Sequence, residues 1–194
     1  MQPLSTEEFD AMRSGATVLE EDRFGPKVLR LQDGNFLKLF RRKSWFSKAL
    51  LFPPAKRFAD HAQELTRRHI PCPKVLGLYE MRSPYRSVVL YEPLQGTTLR
   101  DLLASSSPDS NLETLVELAT FITSLHDKGV YFRSLHLGNI VMTPDQQFGL
   151  IDIADMRCFD GPLSTRMRRR NYHHLLRYER DWANVDKQVK GLFS

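Results

Sequence analysis

The sequence predicts an α+β chain in two parts: a strand-rich half over residues 1–91 with one helix, and a shorter, mainly helical half over residues 92–194. Three observations predict it. Apolar residues in the first half follow the period of about two that strands require, whereas the second half changes to the period of about 3.6 that helices require. Turn residues cut the first half into hairpins. A connector, "YEPLQG", lies where the period changes.

Each element follows from local chemistry. "ATVLEED" and "KVLRLQ" are short strands, with the turn between them placed at Gly25-Pro26. "GNFLKLF" comes after Asp33-Gly34, a hairpin signal, and puts Phe36, Lys38 and Phe40 on one face and Leu37 and Leu39 on the other. "FPPAKRFADHAQELTRRHIPCP" has a helix start at Pro53-Pro54 and a stop near Ile70-Pro71. "KVLGLYEM" and "YRSVVLYEPL" are two further strands around Ser83-Pro84, which makes five strands with one helix inserted after the third.

In the second half, "TTLRDLLASS" is a short helix capped by Thr97 or Thr98. "SNLETLVELATFITSLHDKG" carries Leu112, Leu115, Leu118, Ala119, Ile122 and Leu125 at helical spacing and ends at Gly129. "NIVMTPDQQFGLIDI" reads strand, turn, strand. The remainder, from "RMRRRNYHHLL" onward, is helical and basic.

Composition excludes several classes. With 41% apolar and 26% charged residues the chain is an ordinary globule rather than a disordered tail. Cys72 and Cys158 are isolated, which argues against a disulfide framework or zinc site and for a reducing, cytoplasmic setting. "MQPLSTEEFDAMRSG" has no signal-peptide pattern, and no apolar run approaches the roughly 18 residues of a membrane span. A net charge of +5 suits an anionic ligand or surface, or simply a solvated face.

Three residues could carry phosphate chemistry. Lys38 sits mid-strand, where a rigid backbone could aim its ammonium at a phosphate; it could equally be an edge-strand lysine facing water. Asn139 and Asp152 flank one hairpin, so two oxygen donors suited to Mg²⁺ could meet at its base. The plainer alternative makes Asn139 a cap or turn residue and Asp152 the cap of the next segment.

The order of these features resembles the protein-kinase-like superfamily, whose catalytic loop H-R-D-x-x-x-x-N precedes a D-F-G metal motif. Here "FRSLHLGN" is followed by "IDIAD", with Ser134 and Asn139 five apart as the pattern asks of its Asp and Asn. His136, Gly138 and Asn139 match the loop H-G-D-L-H-P-G-N of aminoglycoside phosphotransferases and lipopolysaccharide core kinases. The chain is most similar to the bacterial toluene-tolerance proteins grouped with the lipopolysaccharide kinases, over most of residues 16–160.

The resemblance implies a two-lobed protein-kinase-like fold with a five-stranded antiparallel N-lobe and a short helical C-lobe. It implies ATP and Mg²⁺ as cofactors. Lys38 would hold the α/β-phosphates, with Glu64 (or Asp60, one turn earlier) as its ion-pair partner. Leu90, Tyr91, Glu92 and Leu94 would be the hinge that reads adenine, and Asn139 and Asp152 the metal ligands.

Three departures qualify what is implied. Ser134 stands where the pattern has its catalytic aspartate, and a hydroxyl without its own base accepts no proton near neutral pH. His136 and Asp155 are the candidate replacements, and the third option is no replacement. The loop "EDRFGPK" has one glycine rather than three, and only residues 153–194 remain for an activation segment and acceptor platform.

Two clusters suggest partners. "RRKSWFSKALLF" mixes Arg41, Arg42, Lys43 and Lys48 with Trp45 and Phe46, which suits an anionic membrane or phosphorylated glycolipid, or aromatics packed on the sheet. "RMRRR", residues 166–170, suits lipid phosphates, nucleic acid or a solvated face; no zinc-finger or RNP-type motif supports a nucleic-acid partner. Adjacent His173 and His174 diverge on a helix, which argues against a shared metal. Three readings remain: an ATP-dependent phosphotransferase acting on a sugar or glycolipid at the cytosolic face of the inner membrane, a pseudokinase, and a membrane-surface module that uses no nucleotide.

Overall fold

Alternating apolar residues in the first half build one sheet. A computed structural model describes residues 1–41, 53–183, 185 and 187–193. The chain divides into two compact units, Met1–Gln63 with Pro73–Pro93, and Glu64–Cys72 with Leu94–Ser194.

In the first unit, β1 (Gln2–Pro3), β2 (Thr17–Asp22), β3 (Gly25–Arg30), β4 (Phe36–Arg41), β5 (Lys74–Arg82) and β6 (Tyr85–Glu92) pair in the order β1-β5-β6-β4-β3-β2. β1 runs parallel to β5, with Gln2 opposite Tyr79, and the other pairings are antiparallel. The five-stranded antiparallel sheet expected from the sequence is thus six-stranded and mixed. The extra strand leads into α1 (Thr6–Met12), whose start is a capping box: the Ser5 side chain accepts from the Glu8 amide and the Glu8 side chain from the Ser5 amide.

The turn expected at Gly25-Pro26 falls on Arg23-Phe24 instead, because Asp22 pairs with Gly25. The Asp22 carboxylate accepts the Phe24 amide at 2.8 Å, closing the turn two residues earlier than the Gly-Pro signal suggests. Arg41 braces it, donating to Asp22 Oδ1 at 2.6 Å and to the Gly25 carbonyl at 3.0 Å.

Leu37 and Leu39 point into a core with Leu4, Phe9, Leu29, Met81 and Val88. Fully burying each such side chain contributes about 1.5–3 kcal/mol, which sets the face of β4 and therefore the opposite orientation of Lys38. On that opposite face, Tyr91 packs between Phe36 (centroids 5.7 Å apart) and Phe58 (5.2 Å) of α2 (Pro54–Arg67).

In the second unit, β7 (Thr97–Thr98) leads into α3 (Leu99–Ser105), capped by Thr98, and α4 (Pro108–Asp127) follows. Leu115, Leu118, Ile122 and Leu125 of α4 are buried, but Leu112, expected on that stripe, is 49% exposed. Gly129 ends the helix at φ 75, where a Cβ would strike the carbonyls of Phe159 and Gly161.

Three short pairings follow. β8 (Val130–Phe132) pairs antiparallel with β11 (Met156–Cys158), while β9 (Ile140–Met142) pairs with β10 (Phe148–Leu150) on one side and β7 on the other. The basic C-terminal stretch forms α5 (Thr165–Leu175), a 3₁₀ turn at Glu179–Trp182 and α6 (Lys187–Lys190). Asn171 ties these together: its Nδ2 donates to the Phe132 carbonyl at 2.6 Å, and its Oδ1 lies 3.1 Å from His126 Nε2 of α4.

Candidate active site

The second unit builds the loop that carries Ser134, His136 and Asn139. β8 delivers the chain to Arg133, whose amide donates to the Asp155 carbonyl at 3.2 Å, and the Leu135 amide turns back to the Phe132 carbonyl. A 3₁₀ turn at Leu137–Asn139 then feeds β9. The Asn139 side chain closes the loop, donating from Nδ2 to the Ser134 carbonyl at 2.9 Å. With its nitrogen engaged there, the amide oxygen is the end left to coordinate a hard cation.

Across the hairpin, the Ile151 amide donates to the Asn139 carbonyl at 3.0 Å, so Asp152 leaves β10 beside the start of β9. Asp152 adopts the left-handed conformation (φ 52, ψ 44) and makes no capping hydrogen bond to the 3₁₀ turn at Ile153–Asp155 that follows. The capping alternative for Asp152 is therefore overturned. A left-handed conformation is uncommon outside glycine, although Asp is one of the residues that adopt it, and His69 and Gln146 share it here. No group of three or more His, Cys, Asp or Glu residues that could hold a metal by itself exists among the described residues. Two oxygen donors fit Mg²⁺ that arrives with phosphate and keeps water, rather than a site built wholly from protein.

His136 does not supply the base that Ser134 lacks. Its Nδ1 accepts the Gly138 amide at 3.1 Å, so the neutral ring carries its proton on Nε2 and has no lone pair to spare. Burial, with the Arg100 guanidinium nearby, holds its pKa below the ordinary histidine value. The ring meets Tyr178 edge-on at 5.0 Å. Asp155 faces Arg133 at 3.5 Å and is half exposed, so its carboxylate is paired with the loop's arginine.

Behind the loop lies a pair that sequence reading missed. Arg100 donates to both carboxylate oxygens of Asp181 at 2.8 and 2.7 Å, and the Asp181 side chain is 1% exposed. These hydrogen bonds hold Arg100 charged, raising its pKa. Its guanidinium lies against Gly138, where a Cβ would overlap Arg100 Nη1. That close approach explains the glycine in "HLGN". The only available signal was Arg100 two residues past the Thr98 cap, too weak to pair with a residue 81 positions later.

The remaining expected residues are placed as follows. Lys38 lies opposite Val28 and Val89 on β4, a strand paired on both sides, which removes the edge-strand alternative. Glu64 is paired with Arg67 at 2.9 Å and with Arg68, which together lower its pKa, and Asp60 is paired with Lys56 at 2.7 Å. Tyr91 is buried and Glu92 is exposed at the end of β6, with Lys74 3.7 Å from Glu92. Leu94 packs on Gly149 of β10. Of the cationic-aromatic cluster, Arg41 is a hairpin brace; Arg42, Lys43, Trp45, Phe46 and Lys48 lie outside the described residues. No helix among the described residues is long and apolar enough to cross a membrane.

A loop closed by Asn139, a hairpin ending in a left-handed aspartate and an α+β fold define a kinase-type arrangement. The chain belongs to the lipopolysaccharide kinase (Kdo/WaaP) family, whose model matches residues 7–193. No curated protein matches the sequence.

Proposed function

We propose that this chain binds Mg·ATP and transfers its terminal phosphoryl group to a sugar of a lipopolysaccharide-type glycolipid, at the cytosolic face of the inner membrane. The observation that supports this reading is the hairpin bond from the Ile151 amide to the Asn139 carbonyl, which brings Asp152 beside Asn139. Lys38 neutralises the nucleotide phosphates, and Asn139 Oδ1 with the Asp152 carboxylate holds the metal. When bound, Mg²⁺ supplies charge neutralisation at the transferring phosphoryl group. Tyr91, Glu92 and Leu94 form the stretch that would read the base.

Phosphoryl transfer rests mostly on positioning and electrostatics, so replacing the catalytic carboxylate by Ser134 slows the step rather than removing its main sources of catalysis. A second reading, a pseudokinase that binds nucleotide without turnover, is favoured by a specific observation: His136 spends its lone pair on the Gly138 amide.

Thermal melts with ATP, with and without Mg²⁺, test the shared part of both readings. At a hundredfold excess over Kd, binding adds about 2.7 kcal/mol, or about 5–11 °C for a chain of this size. Asp152→Asn, which tolerates the left-handed backbone, should abolish the Mg²⁺-dependent part. Absence of any shift at millimolar ATP would refute both. Phosphoryl transfer from labelled ATP to lipopolysaccharide then separates the two readings.

A further inference from the structure

The basic run of α5 is sorted by the helix into different tasks. Arg168 is structural: it donates to the Leu163 carbonyl at 2.9 Å and pairs with Asp127 at 2.7 Å. Asn171 and Leu175 are buried, and Met167, Tyr172 and His174 are half-buried. Arg166, Arg169, Arg170, His173 and Arg177 are exposed. At about 100° per residue Arg166, Arg169, Arg170 and His173 fall within an arc of about 100° and form one outward stripe, with Arg177 just past the end of the helix. Among the described residues Arg166, Arg169 and Arg170 make no ion pair, and the first turn of α5 has no acid. Cations there oppose the helix dipole, so helix stability does not account for them.

The stripe runs to the catalytic-type loop. Arg177 donates to the Arg133 carbonyl at 2.7 Å, and the Arg133 side chain is 56% exposed. Arg177 Nη2 lies 3.5 Å from His174 Nδ1; burial lowers the His174 pKa, and the charges of Arg177, Arg170 and Arg133 lower it further. Beyond it, Tyr178 carries the guanidiniums of Arg177 at 5.5 Å and Arg180 at 6.0 Å, with His136 against its edge.

We propose that the outward face of α5, continued by Arg177 and Arg133, binds the anionic saccharide of the acceptor glycolipid and leads it to the Ser134 loop. This rests on the phosphotransferase reading and adds to it the surface that would hold the acceptor's several phosphate or carboxylate groups. From Arg166 to Arg177 the stripe spans about 16 Å, too long for one sugar phosphate to cover. Its concentration on a single face ending at the loop suits a polyanion presented to that loop better than diffuse charge.

Calorimetry on the full chain tests the proposal with three probes: a delipidated, phosphorylated lipopolysaccharide core oligosaccharide, the same oligosaccharide after phosphatase treatment, and phosphatidylglycerol vesicles. The phosphorylated oligosaccharide should bind with salt-sensitive affinity, about thirtyfold weaker in the Arg166→Gln/Arg170→Gln double variant. Both residues are exposed and make no ion pair among the described residues, so the melting temperature and the Mg·ATP shift should be unchanged. Equal binding by the double variant, equal binding of the phosphatase-treated probe, or binding of vesicles alone would each overturn the proposal. If the unaltered chain shows no Mg·ATP shift but keeps arginine-dependent oligosaccharide binding, the nucleotide reading fails and this surface stands.

Discussion

The Arg100–Asp181 pair makes an asymmetric prediction. In Arg100→Met the orphan left behind is Asp181, whose side chain is 1% exposed and whose other cation, Arg180 Nε, is 3.7 Å away. Leaving a buried charge uncompensated costs about 3–5 kcal/mol, and the distant Arg180 keeps the expected loss near the lower end, about 3 kcal/mol. In Asp181→Asn the orphan is Arg100, which is 32% exposed and so partly solvated, and the new amide can still accept one of its two hydrogen bonds. That loss should be about 1–2 kcal/mol. For a chain of this size the two figures translate to about 10 °C and about 4 °C in melting temperature. The double variant removes both charges and should fall nearer to Asp181→Asn than to the sum. Urea unfolding followed by circular dichroism reads all three. If Asp181→Asn is as damaging as Arg100→Met, the claim that the buried orphan sets the cost is wrong. Because Arg100 lies against Gly138, Arg100→Met should also reduce the Mg·ATP shift more than Asp181→Asn does.

Three further outcomes are expected. Ser134→Asp, which restores a carboxylate at the base position, should raise phosphoryl transfer to lipopolysaccharide by about a hundredfold or more; no gain would show that the loop lacks more than its base. Asp152→Asn should lose the Mg²⁺-dependent part of ATP stabilisation while melting normally without ligand, and a retained shift would remove Asp152 from the metal set. Stability should fall as pH drops from 7 to 5, because burial lowers the folded-state pKa of His126 and His136 below their unfolded value near 6.5, so the unfolded chain binds more protons in that window. His126 Nδ1 is buried with no hydrogen-bond partner among the described residues, so His126→Gln should flatten the slope; an unchanged melting temperature from pH 7 to 5 would contradict the linkage.

What was legible in the sequence was what local periodicity and turn chemistry decide. The α4 stripe, the α2 start at tandem prolines, the hairpin between Asn139 and Asp152 and the alternation that sets Lys38 against Leu37 and Leu39 all depend on neighbours a few residues apart. The Ser5/Glu8 capping box was equally local, although "MQPLSTEEFDAMRSG" was weighed only as a leader, so α1 and β1 were missed. Leu112 shows where periodicity misleads: it has the right spacing, but it lies 49% exposed near the start of α4.

The rest depended on contacts between residues far apart in the chain. A two-residue strand such as β1 has no pattern to detect and exists because β5 offers its edge. That Asp152 enters the next turn in the left-handed conformation is a matter of backbone angle that no local pattern announces. That His136 is a cap rather than a base follows from a ring orientation set by Gly138 and Tyr178. The Arg100–Asp181 pair and the Arg177–Arg133 link join segments whose proximity only folding creates. The sequence by itself determined which chemistry the chain carries: oxygen donors, a mid-strand lysine, a missing base and a surplus of arginine. The tertiary structure alone decided which of those groups are committed to holding the loop and which remain directed outward, because burial and hydrogen-bond geometry are properties of the packed chain.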